Sequence, residues 1–101
     1  MTEFKALDVK KVSGQNGEPF PCERFVKKYV QFGGTFSGEI EIQITLNGTD
    51  YQPVARCGGP GPIIAIPETC KYVRIHTITY TSGNPTAMFA GIDVRSAFLD
   101  R

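Results

Sequence analysis

The run Glu39-Ile40-Glu41-Ile42-Gln43-Ile44-Thr45-Leu46 alternates without a break between polar and apolar side chains. Successive side chains of an extended backbone point to opposite sides. Ile40, Ile42, Ile44 and Leu46 therefore share one face, and Glu39, Glu41, Gln43 and Thr45 share the other. A helix would scatter the same residues around its circumference, so the run predicts a half-buried strand with one face in a core and one in water. Asn47-Gly48 follows, and both residues tolerate positive φ, which predicts a turn. Tyr51 to Val54 reads as the returning strand. Upstream, Gly33-Gly34 allows a sharp bend into the same segment.

The remaining chain continues this pattern. Phe4 to Val12 alternates with no cleanly apolar face, which fits an edge strand whose charges deter further pairing. Ser13 to Glu18 is a loop by composition. Phe20, flanked by Pro19 and Pro21, is excluded from a central strand and is either a core plug or an exposed contact. Phe25 to Phe32 forms a second strand, with Val26, Lys28, Val30 and Phe32 opposed to Phe25, Lys27, Tyr29 and Gln31. Gly58-Gly59-Pro60-Gly61-Pro62 is a corner, and Ile63 to Ile66 a short apolar strand closed by Pro67. Lys71 to Thr81 is rich in β-branched and aromatic residues. Val73 and Ile75 fall on one of its faces and Ile78 and Tyr80 on the other, so a bulge is expected near His76 or Thr77. Ser82 to Pro85 is a turn, Thr86 to Arg95 the last strand, and residues 96–101 a helical turn or an arm. About seven short strands joined by turns predict a single all-β domain over residues 1–101 with short terminal arms. Its architecture is an antiparallel β-sandwich of jelly-roll or immunoglobulin-like order.

Composition narrows the function classes. The formal net charge of +1 offers no electrostatic argument for nucleic acid, a membrane surface or an acidic substrate. A run of about 18 apolar residues is missing, so no transmembrane helix is expected. The first residues lack a basic segment followed by an apolar one, so no signal peptide is expected either. The three cysteines, Cys22, Cys57 and Cys70, are odd in number and include no CxxC pair, which argues against a zinc site. They read as reduced small hydrophobes. The alternative is a Cys57–Cys70 bridge across the Gly/Pro-rich segment that both flank.

Each residue cluster that could carry chemistry has a plainer explanation. His76 is the single histidine and lies in the most β-rich strand, with no nucleophile and no orienting carboxylate nearby in sequence. Glu39 and Glu41 share a face, as paired glycosidase carboxylates would, but that face is the polar side of an alternating strand and reads as solvated. The Gly/Pro-rich segment lacks phosphate-loop spacing and a following helix. Tyr29, Tyr51, Tyr72 and Tyr80 could stack sugars or bases, yet they are dispersed and no tryptophan accompanies them. Asn47-Gly48-Thr49 matches a glycosylation sequon but is more simply the turn. No catalytic, cofactor-binding or metal-ligating residue is assigned. The apolar groups that the regular strands do not obviously bury sit in the irregular segments, and these supply the expected protein-contact residues: Phe20, Gly59, Pro60 and Phe98.

Three groups of residues carry a family resemblance. They are Gly34 to Gly38 with the alternating strand and Asn47-Gly48 before Tyr51, Ile64-Ala65-Ile66-Pro67 with Tyr72-Val73-Arg74-Ile75, and Thr81 to Ala87. Together, over roughly residues 25 to 94, they resemble small phage-encoded virion proteins of the capsid decoration (cement) or head- and tail-associated type. Asn47 stands where that pattern has Asp. The resemblance implies a structural protein of the virion, made in the host cytoplasm and acting without catalysis. Its expected partners are copies of itself, as a trimer or dimer, and a major coat protein, with no nucleic acid and no membrane. A carbohydrate-binding or tail-associated adhesion module is the alternative. An enzyme ranks third.

Overall fold

The computed structural model describes residues 2–58, 61, 63–66 and 70–93. Among these residues there are eight strands and no helix: β1 (Thr2–Leu7), β2 (Phe20–Pro21), β3 (Phe25–Gly33), β4 (Phe36–Thr45), β5 (Gln52–Cys57), β6 (Ile63–Ala65), β7 (Tyr72–Gly83) and β8 (Thr86–Asp93). They form two four-stranded antiparallel sheets, ordered β1-β8-β3-β6 and β2-β7-β4-β5. The strand beyond the expected seven is β2, a two-residue edge on Val73 and Tyr72. Its flanking prolines remove backbone donors, which suits an edge and no other position.

One core lies between the inner faces. Ile40, Ile42, Ile44, Val73 and Ile75 reach it from one sheet, and Leu7, Val30, Phe32, Ala87 and Phe89 from the other. The alternating run behaves as expected through Ile44. It fails at Leu46, which is 71% exposed. The strand ends at Thr45, and Asn47 organises a wider turn: its Oδ1 accepts from the Thr49 and Asp50 amides, each at 2.8 Å, and from Thr45 Oγ1 at 3.0 Å. Glycine is needed where β3 passes into β4. Gly34 has φ 82°, and a Cβ there would lie 2.0 Å from the Asn84 carbonyl oxygen. The β7–β8 corner sits against this bend, with the Asn84 amide donating to Thr35 O at 2.9 Å.

Two irregularities reassign faces. In β3 the register against β8 shifts between Phe25 and Lys27. Val26 turns outward, and Phe25 enters the core beside Lys28, Val30 and Phe32, opposite to a strict alternation. The expected bulge in β7 lies one residue beyond the proposed positions. Glu39 pairs with Thr79 and Ile40 with Thr77, so Ile78 is the extra residue, and a second shift leaves Thr81 extra. Thr77 is thereby fully buried, its hydroxyl donating to Lys10 O at 2.6 Å.

The cysteines correct the sequence reading. Cys22 and Cys70 form a disulfide, with Cα atoms 6.2 Å apart and 48 residues between them in sequence, so Cys70 does not bridge to Cys57. Pairing of β2 with β7 creates the proximity: the Cys22 amide donates to Lys71 O at 3.0 Å. Neither position is near the other along the chain, and only the sheet order brings them together.

Candidate interaction surfaces

The expected contact residues divide. Gly59, Pro60 and Phe98 lie outside the described residues. Phe20 is half-buried, and its ring plugs the core. It meets Phe89 edge-on at a centroid distance of 5.1 Å and stacks on Phe25 at 6.3 Å, while Phe25 meets Phe89 at 5.2 Å. Aromatic pairs of this geometry add about 0.5–1.5 kcal/mol beyond area burial.

The segment from Ser13 to Glu18, expected as a loop, is tied along β7. Gly14 and Gly17 donate their amides to Thr77 O and Ile75 O, both at 2.8 Å, and the Thr77 amide donates to Gln15 O at 2.9 Å. Asp8 fastens the other end of this segment. Its carboxylate sits 3.0 Å from Lys10 Nζ and accepts the Glu18 amide at 2.9 Å. Bonding to Lys10 and to that amide holds the Asp8 carboxyl below its usual range, and the same pair raises Lys10.

The outer face of the β2-β7-β4-β5 sheet carries a polar network. Arg74 lies 3.6 Å over the Tyr51 ring and donates to Gln43 Oε1 at 2.8 Å. Gln43 in turn donates to Glu41 Oε2 at 2.7 Å, and Glu41 Oε1 is 3.7 Å from Arg56. This network covers Glu41, which is only 7% exposed, so Glu41 is buried where a solvated carboxylate was expected, while Glu39 is half-buried. Sequence spacing could not show this, because Arg74 and Tyr51 reach Gln43 from other elements. His76 stands opposite Glu41 in the register, and its Nδ1 is 2.6 Å from Asn16 Oδ1. No serine, threonine or cysteine hydroxyl or thiol bonds the ring among the described contacts. Arg74 covers one face of the Tyr51 ring.

The outer face of the other sheet is different in kind. Cross-strand partners share a face, so the register sets Phe4, Ala90, Tyr29 and Ala65 in one row across β1, β8, β3 and β6. The adjacent row reads Ala6, Met88, Gln31 and Ile63. Not one of these residues is charged, in a chain with 21% charged residues. Phe4 is 70% exposed, Ile63 61% and Met88 44%. Between Phe4, Tyr29 and Met88, above Ala90, lies a shallow hollow of about 360 Å³. Scattered single apolar residues on a surface need no explanation, but a contiguous patch marks an interaction site. Sequence analysis overlooked it because Phe4, Tyr29, Met88 and Ile63 sit on four different strands. The signal available was in β8, where Met88, Ala90 and Ile92 alternate with the equally apolar Ala87 and Phe89.

No family model matches the sequence, and no curated protein does. Among solved structures the chain is similar to the SPBc2 prophage-derived protein YomS. The TM-score is 0.67 at 16% identity, covering 90% of this chain and 94% of YomS. At that identity the likeness is one of fold. Reduced CprK without ligand also aligns, at a TM-score of 0.39 and 10% identity over 97% of this chain and 40% of that one.

Proposed function

We propose that this protein is a phage structural protein that adds to a preformed protein shell and works by contact. The observation that carries the reading is the fold shared nearly end to end with the prophage-derived YomS. The sheet orders β1-β8-β3-β6 and β2-β7-β4-β5 support a second inference, that the two sheets form a jelly-roll sandwich, an architecture used by viral capsid and lectin domains. A decoration role on the head fits the sequence resemblance and the exposed apolar rows of the outer face. Self-association and binding to a major coat protein are part of this proposal, as is location in the virion. So is the absence of catalysis, which rests on His76 being held by Asn16 with no nucleophile bonded to it. The contact elements proposed are the outer face around Met88, the exposed part of Phe20, and the segments that hold Gly59, Pro60 and Phe98.

A sugar-binding module of the same architecture is the competing reading, and the capping of Tyr51 by Arg74 counts against it. Mass spectrometry of purified virions tests the proposal. The protein is expected at a fixed copy ratio to the coat protein, in particles washed at high salt. Its absence from virions, together with its presence in infected cells, would overturn it.

A further inference from the structure

We propose that the two uncharged rows on the outer face of the β1-β8-β3-β6 sheet, Phe4-Ala90-Tyr29-Ala65 and Ala6-Met88-Gln31-Ile63, are a homodimer interface. In it a second copy of this chain packs face to face about a twofold axis that runs parallel to the strands, between β8 and β3. The inference names the surface for the self-association proposed above. It is measured on the protein alone, so it stands or falls separately from shell binding.

The side-chain sizes specify the axis. Across the first row the order is large, small, large, small: Phe4, Ala90, Tyr29, Ala65. Rotation about an axis between the two central strands sets β1 against β6 and β8 against β3. Phe4 then meets Ala65, and Tyr29 meets Ala90, so each ring enters the space above an alanine. The hollow over Ala90 is the socket that the partner's Tyr29 would fill. In the adjacent row Ile63 meets Ala6. An axis parallel to the strands also keeps the two sheets aligned, as in ordinary sheet-on-sheet packing at a separation of about 10 Å. Electrostatics do not oppose the contact, because these two rows carry no ionisable group to set against its own copy. Lys27, level with Ile92 in the next row, marks the edge of the uncharged area.

The area fixes the strength. Four strands at about 4.8 Å spacing and two rows along them give roughly 19 by 14 Å, or on the order of 270 Å² per copy. Specific interfaces of standard size bury about 800 Å² per partner. The dimer is therefore weak and exchanging, and repeated copies on a shell would strengthen it through avidity.

Sedimentation velocity of the full chain across micromolar concentrations tests this. The sedimentation coefficient is expected to rise with concentration to the dimer value. Met88→Glu, on an exposed side chain beside the axis, should weaken association by about tenfold or more, with the circular dichroism and thermal midpoint unchanged. Leu46→Glu, at a more exposed side chain outside the face, should leave association intact. A monomer at every concentration, a trimer plateau, or equal effects of the two variants would overturn the proposal. So would a monomeric wild type that dimerises on Phe98→Asp, since the chain's own last residues would then occupy the face. A monomeric wild type whose Met88→Glu variant alone fails to bind particles would give the face to the coat protein, which also overturns it.

Discussion

Ile42 and Glu41 are neighbours on β4 that bury opposite sides of the sheet. Ile42→Ala should destabilise by about 2–5 kcal/mol, the lost transfer energy plus a cavity. Glu41→Ala, which sequence reasoning would place below about 0.5 kcal/mol, should instead cost about 1–3 kcal/mol, because Gln43 and Arg56 lose a buried acceptor. Urea titration of both variants checks the pair, and a negligible effect at Glu41 would mean that the network contributes nothing. Lys28 gives a pH-dependent counterpart. It is 4% exposed on the core side of β3, with Nζ 3.3 Å from Phe25 O, and burial pushes its pKa below the ordinary 10.5. Between the folded and unfolded values the unfolded chain binds more protons, so stability rises with pH through that window. Below the folded value the full penalty applies. Lys28→Met should therefore stabilise the protein by about 1 kcal/mol near neutrality and flatten the alkaline rise in stability. A thermal-melt series from neutral pH to about pH 10.5 reads both effects. Alternation alone placed Ile40, Ile42 and Ile44 in the core. It misassigned Leu46 and Phe25, where a turn and a bulge interrupt the period.

Among the elements, β2 and β7 are joined covalently. The Cys22–Cys70 disulfide closes a loop of 48 residues, which in the chain-entropy account stabilises the fold by about 4 kcal/mol. Peptide mapping without reduction should recover the Cys22 and Cys70 peptides as one linked species. Reductant should lower the urea midpoint, and a Cys22→Ala/Cys70→Ala variant should start at that lower value. A linked Cys57–Cys70 species would contradict the sheet order itself. This pairing was illegible in the sequence because cysteine count and spacing say nothing of which distant strands become neighbours. The corner residues were readable for the converse reason. Gly33-Gly34 and Ser82 to Pro85 announce chain reversals locally, and the two corners do fall together, joined by the Asn84–Thr35 hydrogen bond. The tethering of residues 14–17 along β7 was hidden, since it uses backbone groups that any residue has.

Among the described residues, one outer face is crossed by a polar network and the other exposes two apolar rows, and this asymmetry underlies the proposed function. All-β class and strand positions could be read from periodicity. The open face could not, because it is assembled from residues on β1, β8, β3 and β6 that become adjacent only in the register. The expected contact residues came from irregular segments, on the premise that regular strands bury their apolar groups, and the face around Met88 shows that premise failing. Weak individual contacts suffice on a symmetric shell, where many copies act together. The most direct measurement mixes the purified protein with particles that lack it and sediments them. The account predicts saturable pelleting at micromolar protein, with a stoichiometry fixed by the lattice. Protein that remains in the supernatant while binding an immobilised glycan would contradict the shell-binding account and favour sugar recognition.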